Sequence, residues 1–263
     1  MEITLTAADG TRLAARRTGH GVPVVFVHGS AGGLDSWDAI TRRLVDEFEL
    51  WVYARRGYPR SGGCPRPKTF ADDVLDVEAV LTAAGGRAHL VGASYGGTVA
   101  LHAAVRTGGG AIRSLALFEP PLFAAGPDLA PVLDRYRALV TVGDIPAATL
   151  LFAERVARVP AAILNALAAQ PDPAAGAEAV GCLHDLEAMA ADPADLGRWA
   201  RVELPVLLMR GADTWPPMPA TIDALAAVLP AVTRAIWPGE SHFATHTAPA
   251  LFAETLREFL RRS

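Results

Sequence analysis

The sequence predicts an α/β fold built on a doubly wound, mostly parallel sheet, and three observations support this. Short apolar runs of strand length alternate with segments of helical periodicity from residue 22 to residue 118. A glycine-flanked turn, residues 92–97, joins one such run to a helix-forming segment. The alternation then stops for residues 121–201 and resumes afterwards. Strands that alternate with helices favour a parallel sheet covered on both faces.

The N-terminal elements are a hairpin followed by a buried strand. Asp9-Gly10 separates two alternating segments, residues 3–7 and 11–16, which is typical of a hairpin turn. Residues 22–27 are continuously apolar, as expected of a strand covered on both faces. That strand leads into the loop His28-Gly29-Ser30.

A helix, a strand and a second helix follow. Asp35 or Ser36 can cap the first helix. Its apolar face consists of Trp37, Ile40, Leu44 and Val45. Residues 50–53 predict the next strand, and residues 72–84 predict a helix that ends at Gly85-Gly86.

The next strand, residues 87–91, runs into Gly92-Ala93-Ser94-Tyr95-Gly96-Gly97 and then into a helix of small residues. Glycines two positions before and after Ser94 allow a strand and a helix to meet at a sharp turn. A serine hydroxyl needs an exposed position, a base and oxyanion donors to act as a nucleophile. The simpler alternative is a glycine-rich turn that only closes tightly, but the strand-turn-helix context favours a nucleophile.

Residues 112–118 predict a further strand, after which the strand signal is lost. Residues 121–201 carry apolar residues at helical spacing, interrupted by prolines such as Pro171 and Pro173. Strand, helix, strand and helix return at residues 205–210, 220–229, 233–237 and 249–260. The expected organisation is a core domain of residues 1–120 and 202–263, with residues 121–201 inserted as a helical cap.

Chemically competent residues follow several of the predicted parallel strands. Besides Ser94 and the loop at Ser30, Asp213 follows the strand that ends at Arg210, and His242 follows the strand that ends at Trp237. Ligands and catalytic groups gather at the carboxyl edge of open α/β sheets. Nucleophile, acid and base therefore occur in the order Ser94, Asp213, His242.

These motifs resemble the α/β-hydrolase superfamily over essentially the whole chain, and in particular small actinomycete-type serine esterases with a helical cap. The resemblance implies an eight-stranded sheet whose second strand is antiparallel, with the cap inserted after strand six, where Phe118-Glu119-Pro120-Pro121 stands. Similar hydrolases often carry Asp-x-Arg-Gly-x-Gly-x-Ser after strand four. Here Ala54 replaces the aspartate and Pro59 the second glycine, which affects the expected turn geometry rather than the chemistry.

The resemblance also assigns roles at the site. His242 would act as general base toward Ser94, and Asp213 would orient the imidazole. The backbone N–H groups of Ser30 and Tyr95 would form the oxyanion hole.

Two of these assignments have rivals. Glu119 also follows a strand at a position where the acid can sit, although Gly-x-Asp after strand seven is the commoner site in the family. His246 competes with His242, but it lies further from the strand end. His28 is expected to shape the oxyanion loop through hydrogen bonds.

Aromatic and aliphatic residues around the predicted site favour an apolar substrate. The candidate substrate-binding residues are Leu122, Phe123, Phe152, Trp199 and Trp215, with Met189 and Met218 as further apolar neighbours. The first hypothesis is a hydrolase of carboxylic esters, lactones or thioesters. An acyl-transfer or cyclisation enzyme with the same triad, and a non-catalytic ligand-binding protein of the same fold, are the alternatives.

Composition limits the class of partner. A net charge of −4 argues against nucleic acid, and no apolar run is long enough for a membrane span. Cys64 and Cys182 show no metal spacing and are expected to be free thiols. No signal peptide is evident, so a cytoplasmic enzyme that acts on a small molecule without a metal or cofactor is expected; the sequence does not predict the oligomeric state.

Overall fold

The computed structural model describes residues 1–64, 66–170, 175–193 and 195–263. Its strands are β1 (Glu2–Thr6), β2 (Arg12–Gly19), β3 (Val22–Val27), β4 (Phe48–Tyr53), β5 (Ala88–Ala93), β6 (Ile112–Phe118), β7 (Val206–Gly211) and β8 (Val232–Trp237). Its α-helices are α1 (Asp38–Thr41), α2 (Phe70–Ala83), α3 (Tyr95–Thr107), α4 (Ala130–Thr141), α5 (Ile145–Arg155), α6 (Ala161–Ala169), α7 (Ala175–Ala191), α8 (Met218–Val228), α9 (Ala244–Thr247) and α10 (Pro249–Leu260).

The eight strands form one sheet in the order β1-β2-β4-β3-β5-β6-β7-β8. β2 is antiparallel to both of its neighbours, and the remaining pairs are parallel. The expected eight-stranded sheet with an antiparallel second strand is therefore confirmed. The register pairs Ala93 with Phe118 and Gly211 with Trp237, so the residues that follow these strands emerge at one edge of the sheet.

Helices cover both faces of the sheet. Val25 and Val27 of β3 belong to the cluster that packs under α2 and α3, whereas Val24 and Phe26 belong to the cluster under α10. This arrangement explains why β3 is apolar at every position from Val24 onward, since each side chain is buried on one face or the other.

The helix predicted after β3 is shorter than its apolar spacing indicates. The α-helix covers only Asp38–Thr41, and the chain continues in turns whose N–H groups bond three residues back, as from Leu44 to Thr41. Neither Asp35 nor Ser36 caps this helix, since no side chain among the described residues bonds to its N-terminal N–H groups; the Ser36 hydroxyl accepts the N–H of Gly33 instead. The apolar face is buried nevertheless, through Trp37, Ile40 and Leu44.

Between β6 and β7 the described chain is helical, as predicted, and contains α4 to α7 with short 3₁₀ turns. Tyr136 of α4 donates a hydrogen bond to the carbonyl of Ala179 in α7, at 3.2 Å. Pro171 and Pro173 lie outside the described residues. The division into a core of residues 1–120 and 202–263 and a cap of residues 121–201 remains an interpretation of this arrangement. No helix in the described part of the chain is both long and apolar enough to span a bilayer.

Candidate active site

Ser94 lies at the turn between β5 and α3 with φ 52° and ψ −126°. A Cβ atom added to Gly92 would lie 2.3 Å from the carbonyl oxygen of Gly96. A Cβ added to Gly96 would lie 2.2 Å from the carbonyl oxygen of Val27. Both glycines are therefore required by the close approach of the backbone, which leaves the serine alone at the apex of the turn.

His242 lies in the loop after β8, and each of its two ring nitrogens has a hydrogen-bond partner. Its Nε2 is 3.2 Å from Oγ of Ser94, and its Nδ1 is 2.6 Å from Oε2 of Glu119. The ring of Phe118 stacks at 6.0 Å and the ring of Trp215 meets it edge-on at 5.7 Å. These contacts hold the imidazole between the hydroxyl and the carboxylate.

Glu119 is fully buried directly after β6, with φ 44°. Its Oε1 accepts the backbone N–H of Gly211 at 2.9 Å, and its Oε2 accepts the hydroxyl of Thr214 at 2.8 Å. Because the carboxylate has partners on both oxygens, its orientation toward Nδ1 of His242 is fixed. An unfavourable backbone conformation at both Ser94 and Glu119 is typical of functional positions.

Glu119, the alternative acid, contacts His242 in the structure, and Asp213 does not. Asp213 is exposed, and its side chain makes none of the hydrogen bonds or ion pairs found among the described residues. Its backbone N–H bonds to the carbonyl of Glu240 at 2.9 Å, which leaves Thr214 as the residue that faces the site. His246, the rival base, lies exposed on α9.

Ser30 and Tyr95, the predicted oxyanion residues, line the same cavity as Ser94 and His242. A Cβ added to Gly29 would lie 3.2 Å from Cβ of Ser94, so the loop after β3 runs beside the serine. Across the described ranges, the backbone N–H groups of Ser30 and Tyr95 donate no hydrogen bond to the protein. Both are thus available to a bound oxygen atom.

His28 supports this loop rather than the reacting atoms. Burial, with the neighbouring charge of Arg55, lowers the pKa of His28 to about 3. The ring is therefore neutral: Nε2 accepts the backbone N–H of Arg55 at 3.0 Å, so Nδ1 is the nitrogen that donates to the carbonyl of Gly29 at 2.7 Å.

A cavity of about 300 Å³ opens beside Ser94 and His242, and its lining is predominantly apolar. Of the expected binding residues, Phe152, Met189 and Met218 line it. The remaining apolar wall, which the sequence analysis did not identify, includes Val156, Val159, Ile163, Leu167 and Phe243.

Four expected binding residues, Leu122, Phe123, Trp199 and Trp215, do not line this cavity. Leu122 is buried in the core, Phe123 is 40% exposed, and Trp199 packs against His102. Trp215 lies next to the site instead of in the cavity wall, because its indole N–H donates to the carbonyl of Ala157 at 2.8 Å while its ring contacts His242.

A buried group of ions beside the oxyanion loop was missed by the sequence analysis. Arg55, Lys68, Asp73 and Asp185 are all buried and paired with one another. One signal was available for Asp185, which falls at helical spacing between Cys182 and Met189 and so on an apolar helix face. Arg55, Lys68 and Asp73 lie far from Asp185 in the sequence and carry no such signal.

Comparison with known proteins gives the family. The model of the alpha/beta hydrolase family matches residues 24–255. The chain belongs to this family. This alpha/beta hydrolase is 31% identical over 146 residues to a non-heme haloperoxidase of Rhodococcus erythropolis, an alignment that covers 52% of this chain and 53% of that protein. The chain thus spans about half the length of the curated relative it matches.

Solved structures resemble the alpha/beta hydrolase over its full length. One is an alpha/beta hydrolase from Sphaerobacter thermophilus, with a TM-score of 0.85, 29% identity and coverage of 98% of this chain and 100% of that one. Another is a thermophilic esterase from Thermogutta terrifontis, with a TM-score of 0.79, 24% identity and coverage of 100% and 98%. The second likeness, at that identity, concerns the fold alone.

Proposed function

We propose that this protein is a serine hydrolase that cleaves carboxylic esters of small to medium apolar substrates through an acyl-enzyme intermediate. The observation that carries the proposal is the chain of contacts from Ser94 Oγ to His242 Nε2 at 3.2 Å and from His242 Nδ1 to Glu119 at 2.6 Å, at the wall of an apolar cavity. A hydroxyl, a base and an orienting carboxylate in this order are the parts that nucleophilic catalysis by serine requires.

Each residue has a role in the proposed reaction. His242 Nε2 takes the proton of Ser94 as the serine oxygen attacks the ester carbonyl carbon. The carbonyl oxygen becomes an oxyanion and accepts hydrogen bonds from the N–H groups of Ser30 and Tyr95. The imidazolium, stabilised by Glu119, then protonates the departing alcohol. Water attacks the acyl-enzyme by the same steps, which releases the acid and restores the serine.

The substrate class follows from the cavity. Its volume of about 300 Å³ is at the small end of ligand pockets, and the aliphatic and aromatic side chains around it favour an apolar acyl or alcohol group. A free carboxylate or phosphate on the buried part of the substrate would be desolvated without a compensating charge, which makes such substrates unfavourable.

The test is a series of p-nitrophenyl esters of increasing acyl length, with Ser94→Ala as the control, together with labelling by a fluorophosphonate. We expect serine-dependent turnover with a preference among chain lengths, a loss of at least about 10⁴-fold in kcat for Ser94→Ala, and labelling of the native protein alone. Equal turnover by the two proteins and no labelling would overturn the proposal.

Hydrolysis is distinguished from acyl transfer by running the reaction in isotopically labelled water. A hydrolase incorporates the label into the released acid. An ester or cyclic product without label would instead assign acyl transfer or cyclisation to the same site, the reaction that results when water is excluded.

A further inference from the structure

Asp185 of α7 is fully buried at the boundary between the helices that follow β6 and the loops at the edge of the sheet. Its carboxylate accepts hydrogen bonds from Arg55 at 2.7 and 2.8 Å, and from Lys68 at 2.8 Å. It also accepts the hydroxyl of Tyr58 at 2.6 Å and the hydroxyl of Ser30 at 2.7 Å. One side chain of the inserted helices therefore joins several segments of the sheet edge.

Asp73 of α2 occupies the other side of the same group. It lies 3.0 Å from Nζ of Lys68 and 3.6 Å from Nη1 of Arg55, and it accepts the hydroxyl of Tyr95 at 2.7 Å. We refer to Arg55, Lys68, Asp73 and Asp185 as the ionic cluster. Its two cations and two carboxylates balance in formal charge.

The cluster contacts both residues whose N–H groups are proposed to bind the oxyanion. The hydroxyl of Ser30 bonds to Asp185 and that of Tyr95 bonds to Asp73, while Arg55 and Lys68 bridge the two carboxylates. Two donors that lie far apart in the sequence are thus fixed to the same set of charges.

The backbone around Ser30 is held on both sides. Arg55 donates to the carbonyls of His28 and Gly29 at 3.0 and 3.1 Å. On the other side, the N–H of Ala31 donates to the hydroxyl of Tyr58 at 3.3 Å. These bonds leave the peptide that carries the N–H of Ser30 little freedom to rotate.

The four charged residues of the cluster are buried although the burial of charge is costly. Burial alone would raise the pKa of Asp185, but the charges of Arg55 and Lys68 hold that pKa well below its usual range. Apolar residues of similar size often stabilise a core as well as a buried ion pair does, so stability by itself does not explain the arrangement.

We propose that the ionic cluster positions the N–H groups of Ser30 and Tyr95 for the oxyanion, so that the helices inserted after β6 support the chemical step through Asp185. This inference rests on the proposed function. The members of the cluster are positioning residues, since they act through the backbone of other residues and reach no reacting atom.

Positioning predicts a particular kinetic signature. An oxyanion donor acts on the transition state more than on the bound ester, so its displacement lowers kcat and leaves KM nearly unchanged. Displacement of catalytic groups by about 1 Å can cost on the order of 100-fold in rate.

The experiment compares Ser30→Ala, Tyr95→Phe and Asp185→Asn with the native protein. Each of the first two removes one hydroxyl and keeps the backbone donor. With p-nitrophenyl butyrate we expect kcat to fall about 10-fold for each hydroxyl variant and about 100-fold for Asp185→Asn, with KM within about 3-fold. The rate of fluorophosphonate labelling should fall in parallel, because its phosphoryl oxygen occupies the same hole.

Asp76→Asn is the matched control. Asp76 and Arg56 form a neighbouring buried pair at 2.6 Å that contacts neither Ser30 nor Tyr95. We expect this variant to lower the melting temperature while kcat stays within about 2-fold of the native value. The double variant Ser30→Ala/Asp185→Asn should lose no more kcat than Asp185→Asn alone. In the double variant Ser30→Ala/Asp76→Asn the effects of the two substitutions on kcat should be additive.

The outcomes separate this inference from the proposed function. Loss of labelling in Ser94→Ala with unchanged kcat in both hydroxyl variants would overturn the positioning role and leave the serine hydrolase intact. If Asp185→Asn fails to fold, the hydroxyl variants still decide, because neither removes a charge from the cluster. A rise in KM without a fall in kcat would also contradict the inference.

Discussion

At the scale of single residues, the acid of the candidate triad is Glu119, which the sequence favours less than Asp213. Glu119 accepts hydrogen bonds from Gly211, Thr214 and His242, which fixes both of its oxygens. Asp213 is close in sequence to Thr214 but faces solvent. A buried carboxylate against Nδ1 is the group that can stabilise an imidazolium during catalysis.

Replacement of the two acidic residues separates their roles. Glu119→Gln removes the charge that stabilises protonated His242 and is expected to lower kcat by about 10³ to 10⁴-fold. Asp213→Asn should change kcat by less than about 2-fold, because that side chain is exposed. Steady-state kinetics with p-nitrophenyl butyrate measure both, and a larger loss in Asp213→Asn would reassign the acid.

The turn at Ser94 also depends on single residues. Gly96→Ala would place a methyl group 2.2 Å from the carbonyl oxygen of Val27, a backbone atom that cannot move without shifting β3. We expect a loss of at least about 3 kcal/mol in the free energy of unfolding. Gly33→Ala is the control, because a Cβ there meets nothing within 4 Å. Urea unfolding measures both variants, and equal stability would contradict the steric argument.

At the scale of elements, the helices between β6 and β7 determine the shape of the cavity. α6 is almost entirely apolar, yet none of its residues is fully buried. Ile163 and Leu167 of this helix line the cavity beside Ser94. This position explains part of the apolar character of α6. Phe152 of α5 and Val156, which directly follows α5, also line the cavity.

This arrangement predicts that α6 limits the length of the substrate. Leu167→Trp should fill part of the cavity and lower kcat/KM for long acyl chains at least about 10-fold relative to short ones. Leu164→Trp is the matched control, since Leu164 is a half-buried residue of the same helix that does not line the cavity. An unchanged chain-length profile in Leu167→Trp would show that the acyl group binds elsewhere.

At the scale of the whole molecule, the sheet brings segments from the entire chain to one edge. β5, β6 and β7 are neighbours, so the turns after them lie side by side. The ionic cluster adds a second connection at that edge, between α2, α7 and the loops after β3 and β4. The site therefore depends on the sheet and on the inserted helices together.

Two buried neutral histidines predict how stability depends on pH. Burial lowers the pKa of His28 to about 3, and burial with the charges of Arg113 and Arg87 lowers the pKa of His89 to about 4. Unfolded histidine titrates at pH ~6.5, so the unfolded state binds more protons below that pH. The resulting stability is present above pH ~6.5 and is lost as pH falls toward the folded pKa.

Urea unfolding at neutral and mildly acidic pH tests this dependence. Each histidine should cost up to about 1.4 kcal/mol of unfolding free energy per pH unit below pH ~6.5. His89→Asn should reduce the slope between pH ~6.5 and ~5 by about one histidine's share. A slope that is identical in the variant would exclude His89 as a source of acid sensitivity.

Local patterns made the fold and two members of the candidate triad predictable. The apolar strands, the helical spacings and the glycines around Ser94 are short-range features, and they indicated the confirmed sheet. They also led to Ser94 and His242, which the structure brings within 3.2 Å of one another. Each of these signals lies within one element or one turn, so a single stretch of sequence contains it.

The acid, the cavity wall and the ionic cluster were decided by tertiary structure. Asp213 and Glu119 follow adjacent strands, and only the orientation of each chain at the strand end determines which carboxylate reaches His242. Leu122 and Trp199 match the composition of a binding wall but are buried elsewhere, and Phe123 is exposed. Arg55 and Asp185 are distant in the sequence and meet because the inserted helices pack against the sheet edge. No local pattern encodes a contact of such long range.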